Sequence, residues 1–238
     1  MEKTVLKGSI TIIDVYDNVE SDPGFRTGFG FGAVMKLADM NILFDTGGDA
    51  PTLLTNLGKA GLRPEDIDMV VLSHIHADHT GGLSGFLEKN SDLKVCVPES
   101  YPGNLKDQIV SAGAELVEVK EPAQLAEGIY STGELGTMIK EHSLILNTEK
   151  GLVVITGCAH PGIADIVRKA KELLDEDIYL VMGGFHHPHV SVVKDFRDMG
   201  VEKAAPSHCT GHEAVQAFSK EYGNDFIQTG VGSTIIIG

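Results

Sequence analysis

The segment Ser73-His74-Ile75-His76-Ala77-Asp78-His79-Thr80-Gly81-Gly82 sets three imidazoles and a carboxylate within six residues, directly after the apolar run Met69-Val70-Val71-Leu72. Neutral imidazoles and a carboxylate suit a divalent transition metal in tetrahedral or five-coordinate geometry. On an extended segment alternate side chains share a face, so His74 and His76 are expected to point the same way, while the loop beyond is free to turn Asp78 and His79 elsewhere. One short peptide then addresses two metal ions. A chance cluster of loop histidines is the bland alternative, but so dense a spacing after a strand has few structural uses.

Further candidates lie on both sides of the cluster. Upstream, Ile42-Leu43-Phe44-Asp45-Thr46-Gly47 ends an apolar run on an acid, although Asp45-Thr46-Gly47-Gly48 is also good turn chemistry. Downstream, Leu152-Val153-Val154-Ile155-Thr156-Gly157-Cys158-Ala159-His160-Pro161-Gly162 runs from a strand into a thiol and an imidazole. Ala205-Pro206-Ser207-His208-Cys209-Thr210-Gly211-His212 offers a second such pair. Gly183-Gly184-Phe185-His186-His187-Pro188-His189 follows another apolar run, Ile178-Tyr179-Leu180-Val181-Met182.

The Ser73–Gly82 motif, with Asp45 upstream, resembles that of the metallo-β-lactamase superfamily. The resemblance implies a dinuclear site in which His74, His76 and His160 hold one metal and Asp78, His79 and His208 hold the other. Asp45 would orient a ligand histidine through its second ring nitrogen. Cys158 sits where many relatives place a bridging aspartate or a cysteine, and is read either as a metal-bound thiolate or as a small side chain beneath the site. No Gly-His-Thr-Pro-Gly segment precedes its strand, so His142 in Lys140-Glu141-His142-Ser143-Leu144 competes with His160 as third ligand; the glycine-flanked, loop-like setting of His160 favours it. His186 is expected to bind substrate or donate a proton, Asp78 to orient the nucleophile and pass a proton to the leaving group, and His212 to be a solvated helix-start residue.

The implied fold is an αββα sandwich of two mixed β-sheets flanked by helices, as a single domain over residues 1–238. The implied cofactors are two divalent metal ions, zinc first, with iron or manganese as alternatives. Three activities are compatible with such a site. The leading one is hydrolysis of a small ester, thioester, lactone or phosphoester by a metal-bound hydroxide. Gly157–Gly162, Gly183–His186 and His208–Gly211 also resemble the branch named for dihydropterin-6-methyl-(ribofuranosyl)aminobenzene phosphate synthase. There the metals would bind a pterin diphosphate and help pyrophosphate leave as an arylamine attacks. A di-iron redox protein is the third, although that branch typically carries Glu where this chain has His76.

The elements that must position these residues are legible only coarsely. Apolar patterning predicts strands over 4–15, 69–72, 92–97, 115–119, 135–147, 151–157, 177–183, 200–206 and 234–238, with a turn at Asn147–Gly151. Thr27–Met35 alternates glycine with phenylalanine before becoming a strand; the simplest reading is a twisted strand, and close backbone approach to the site is the other. Asp49 caps a helix with Pro51 near its start and Gly61 at its stop. A short helix is expected over 81–89, and Ile163, Ile166, Val167, Ala170, Leu173 and Leu174 mark an amphipathic one over 162–175. Taken alone, the pattern says α/β.

Composition narrows the partners. Net charge is −15, from 34 acidic against 19 basic residues, so no nucleic-acid footprint is evident and long polyanions are disfavoured. A small-molecule substrate is expected. The amino terminus lacks the apolar stretch of a signal peptide and no run reaches membrane-span length. Three cysteines, Cys96, Cys158 and Cys209, cannot all pair, and Cys96 reads as a small buried hydrophobe; a cytoplasmic protein is the expectation.

Overall fold

A computed structural model describes residues 3–238, which divide into two compact units. The first comprises Gly8–Lys120 and Gly230–Gly238, and the second the residues up to Lys7 together with Glu121–Thr229.

In the first unit the chain runs β1 (Ile10–Asp17), β2 (Phe31–Lys36), β3 (Asn41–Phe44), α1 (Ala50–Lys59), β4 (Met69–Val71), α2 (Ala77–Thr80), α3 (Leu83–Leu87), β5 (Lys94–Pro98), α4 (Gly103–Ala112) and β6 (Glu115–Val119). The second unit holds β7 (Ala123–Ala126), β8 (Ile129–Ser131), β9 (Leu144–Thr148), β10 (Gly151–Thr156), α5 (Ile163–Leu174), β11 (Ile178–Gly184), α6 (Val192–Asp198), β12 (Lys203–Ser207) and α7 (His212–Tyr222). The closing strand β13 (Thr234–Ile237) returns to the first. The sheets are ordered β13-β1-β2-β3-β4-β5-β6 and β12-β11-β10-β9-β8-β7. Both are mixed and both carry helices, in agreement with the fold class expected.

Each sheet has a parallel section, β3-β4-β5-β6 in the first and β10-β11-β12 in the second. Parallel neighbours need crossovers, supplied by α1 to α4 in one unit and by α5 and α6 in the other. In such sheets, ligands gather beyond the carboxyl ends of the strands. Apart from His142, which precedes the antiparallel strand β9, every candidate ligand lies past the end of a strand in one of these parallel sections or, for Asp78 and His79, on the helix just beyond.

The helix layers are fixed by ordinary amphipathic burial. In the first unit Leu53 and Leu57 of α1 and Leu83 and Phe86 of α3 pack with Leu43, Val70, Leu72, Val95 and Val97, whose strand positions alternate with period two. In the second, Ile163, Ile166, Val167, Ala170 and Leu174 of α5 pack against Val154 and Val181. Each large aliphatic side chain so buried contributes on the order of 1.5–3 kcal/mol. Asp49 caps α1 by accepting the Thr52 N–H at 2.8 Å, as its sequence position implies.

Several boundaries differ from expectation. The strand expected over 4–15 starts only at Ile10, because Gly8 turns the chain at φ +84° and Leu6 instead bridges Thr148. Over 135–147 only β9 is regular; Gly136 at φ +87° and a Leu135–Glu141 bridge make the earlier part a loop. Gly200 at φ +76° delays β12 to Lys203. The β7–β8 hairpin and α4 were not foreseen, since α4 buries only Ile109 and offers little periodicity. No helix among the described residues is long and apolar enough to cross a membrane.

Candidate metal centre

Strand β4 stops at Val71 and the chain bends at His74 and Ile75, while His76 is extended just ahead of α2. His74 and His76 still converge: His74 Nε2 is 3.1 Å from His76 Nδ1. Asp78 and His79, expected in a loop, occupy the single helical turn α2, where His79 Nε2 is 3.6 Å from an Asp78 oxygen. A tetrahedral ion with metal–nitrogen bonds near 2.05 Å holds its donors about 3.3 Å apart. The two spacings bracket that value.

Asp45 organises this half. It is fully buried, at φ +56°, and accepts the Ser73 N–H at 2.7 Å, the Ser73 hydroxyl at 2.7 Å and His79 Nδ1 at 2.7 Å. The Ser73 hydroxyl spends its one hydrogen on Asp45, so in the 2.9 Å contact with His74 Nδ1 the ring is the donor. His74 and His79 are thereby both held in the Nδ1-protonated tautomer, whose Nε2 is the nitrogen that can bind a metal. Burial raises the Asp45 pKa, opposed by His79 and the two Ser73 bonds. The expected orienting role of Asp45 is what the geometry shows; Ser73, which locks the His74 tautomer, was not singled out.

Glycines let this loop close on its neighbours. A Cβ on Gly30, at φ +142°, would stand 2.1 Å from the Asp78 carbonyl oxygen, and one on Gly82 2.2 Å from that of Thr46. Thr46 in turn donates from its backbone and its hydroxyl to the His79 carbonyl at 2.8 and 2.9 Å. The glycine–phenylalanine stretch is therefore the close-approach segment, not merely a twisted strand.

In the second unit Glu141 plays the part that Asp45 plays in the first. Its buried carboxylate accepts the backbone N–H groups of Cys158, Ala159 and His160 at 2.9, 2.8 and 2.9 Å, and His160 Nδ1 at 2.8 Å. His160 is thus fixed in the Nδ1-protonated tautomer, with Nε2 as its acceptor nitrogen. Sequence reading passed over Glu141; an acid beside the fully apolar Leu144–Leu146 run was the available signal. His142, the competing candidate, is fully buried with Nδ1 2.7 Å from the Ser131 hydroxyl.

Cys158, His186 and Cys209 bring their donor atoms within 4.8 Å of one another, and the two sulfurs are 3.3 Å apart. The His186 ring stacks on His160 at 4.4 Å. Hydrogen bonding from Cys158, then the charge of His208, lowers the Cys209 pKa to about 5 against the cost of burial. His208 is buried beside Cys209, while His187, His189 and His212 are exposed. Non-glycine residues at positive φ gather here: Ala159, His186, His187 and His208, at 60°, 54°, 46° and 47°. Such conformations cost of order 1–3 kcal/mol each and concentrate at functional sites. An open cleft of about 380 Å³, lined by His160, His186, Pro188, His189, Ile163 and Asp195 among others, adjoins this edge.

Comparison with known proteins accords with these features. Residues 33–201 match the family model described as the metallo-beta-lactamase superfamily. The chain is 29% identical, over 96% of its length and 98% of the relative's, to the 7,8-dihydropterin-6-methyl-4-(beta-D-ribofuranosyl)-aminobenzene-5'-phosphate synthase of Methanocaldococcus jannaschii. Among solved structures it is similar to Tm1679, a metal-dependent hydrolase of the beta-lactamase superfamily, with TM-score 0.78 and 28% identity over 95% of this chain and 98% of that one. The metallo-beta-lactamase fold protein YhfI of Bacillus subtilis shares the fold at TM-score 0.69 and 15% identity, over 96% of this chain and 100% of that one.

Proposed function

We propose, from the premise that this chain belongs to the metallo-beta-lactamase superfamily, that it is a metal-dependent hydrolase of a small ester, thioester, lactone or phosphoester. The observation that carries the reading is the donor set of the first unit. Two histidines are locked in the Nδ1-protonated tautomer, and a third imidazole and a carboxylate stand at metal-spanning distances. The ligands proposed for divalent ions are His74, His76, Asp78 and His79 in the first unit and His160 and His208, with Cys158 as a further thiolate, in the second, with zinc the first choice of metal. Bound divalent ions supply Lewis acidity, which makes water a nucleophile near neutral pH and polarises the substrate oxygen.

The chain's own residues do the rest. Asp45 and Glu141 hold His79 and His160 in the tautomer that accepts a cation. Asp78, with its side chain 19% exposed, keeps one edge toward solvent and is the group placed to pass a proton to the leaving group. The cleft beside His160 gives room for a small molecule. Its lining includes Asp165 and Asp195 and neither lysine nor arginine, in keeping with the acidic charge.

A second reading, a pterin transferase, is supported by the nearly full-length likeness to the dihydropterin-aminobenzene phosphate synthase. It uses the same ligands and differs in the nucleophile, an arylamine in place of water. The test is to measure metal content and then assay the metal-loaded protein in parallel. Chromogenic esters, thioesters, lactones and phosphoesters form one arm; a dihydropterin diphosphate with an arylamine, read as pyrophosphate release, forms the other. Turnover in the first arm that is lost in His76→Ala supports hydrolysis. Arylamine-dependent pyrophosphate release supports the transferase, and two ions per chain with neither activity would sink both.

A further inference from the structure

The second unit carries a donor set of which the dinuclear reading takes up only Cys158, leaving Cys209 and His186 out of its ligands. Cys158, His186 and Cys209 each lie two residues beyond a parallel strand, β10 ending at Thr156, β11 at Gly184 and β12 at Ser207. The strands are adjacent and in register, Thr156 against Gly183 and Gly184 against Ser207, so equal overhangs bring the three donors to one edge. Their ligand atoms fall within 4.8 Å. The space is reserved, because a Cβ on Gly184 would meet the Cys209 sulfur at 2.6 Å. The turns that aim the donors include His186 at φ +54° and His208 at φ +47°.

We infer that Cys158, Cys209 and His186 form a thiophilic metal site of their own, a Cys₂His set taking zinc or a softer divalent ion with one position left open. The sulfur spacing decides between this and a disulfide. Two metal–sulfur bonds near 2.3 Å in tetrahedral geometry place sulfurs about 3.8 Å apart, whereas a disulfide needs about 2.0 Å. The observed 3.3 Å is about 0.5 Å short of the first and about 1.3 Å beyond the second. Two thiolates and an imidazole are ligands that select zinc and its softer neighbours over magnesium or manganese. His186 is then a ligand rather than a proton donor, and proton transfer is left to Asp78. The Cys158 donor also lies within 4.8 Å of those of His160 and His208, which the hydrolase reading takes as ligands, and variants confined to the first unit separate the two readings.

The test is a cadmium titration of chelator-treated full-length protein, following the near-ultraviolet sulfur-to-metal band and confirming ions per chain by elemental analysis. Wild type is expected to develop a band from two thiolates. Cys209→Ser and Cys158→Ser should each halve it, and His186→Gln should leave the band but weaken binding by about tenfold. In His74→Ala/His76→Ala/Asp78→Ala one cadmium ion and the full band should remain. A full band in Cys209→Ser would overturn the assignment, as would a band abolished by the triple variant. Should a serine variant fail to fold, wild type decides. Both Cys158 and Cys209 should resist alkylation when cadmium is bound; alkylation of Cys209 at the metal-free rate, or a Cys158–Cys209 disulfide in the purified protein, would overturn it.

Discussion

The two edges that carry candidate metal donors are built from different parts. In the first unit every donor comes from the six residues His74–His79, and one buried acid, Asp45, holds the segment through a side chain and its neighbour's backbone. In the second the donors come from three strands, two of them are sulfurs, and the buried acid, Glu141, grips three consecutive backbone N–H groups. The first edge is a motif in sequence; the second exists only once three parallel strands are in register. A local cluster can be anchored by orienting its rings, but an edge assembled from strand ends must have its turns held, and Ala159, His186, His187 and His208 lie in those turns at positive φ, against Asp45 alone beside the first edge.

The comparison breaks most sharply at the two acids. Glu141→Ala strips four buried or part-buried donors of their acceptor at once, and at roughly 1–3 kcal/mol per orphaned group the loss should reach about 4 kcal/mol or more in urea denaturation. Glu141→Gln should cost about half as much. Asp45→Asn leaves Oδ1 for the Ser73 N–H but puts an amide where two donors point. It should cost about 2 kcal/mol and lower metal affinity about 10- to 100-fold, read by competition with a chelator. Equal stability losses in Glu141→Ala and Asp45→Asn would contradict the division between held turns and oriented rings.

Gly30→Ala probes the first edge from its neighbouring loop. The new methyl group would lie 2.1 Å from the Asp78 carbonyl, at a φ of +142° that L residues rarely adopt. A loss of about 2–3 kcal/mol with reduced metal content is expected, measured by thermal melting and elemental analysis.

The thiols sharpen the second edge by pH. In metal-free protein Cys209, with its pKa lowered to about 5 by the Cys158 hydrogen bond first of all, is a thiolate above that pH. Its alkylation rate should therefore rise through about pH 5 and level off near neutrality, and Cys158→Ser should move the midpoint upward. Cys96, pushed up to about 12 by burial, should stay unmodified over the whole range. Mass mapping of the alkylated peptides distinguishes them. The smallest effect belongs to His189→Ala: the ring is exposed and bonds only to Ser191, so stability should change by no more than about 0.5 kcal/mol with metal content unaltered.

What the sequence determined by itself was whatever is encoded at short range. The His74–His79 donors, the acid at Asp45, the capped helix from Asp49 to Gly61 and the apolar face of α5 could all be read because their partners lie within a turn or a strand, or because a family motif keeps their spacing. The tertiary structure alone decided that Glu141 clamps the Cys158–His160 turn, that Ser73 fixes the His74 tautomer, and that Cys158, Cys209 and His186 share an edge. Glu141 and His160 are 19 residues apart, and Cys158 and Cys209 are 51 apart. No periodicity carries such a pairing, since it depends on strand order and register, and these follow from how the β10-β11-β12 crossovers bury the α5 and α6 faces rather than from any residue near the donors.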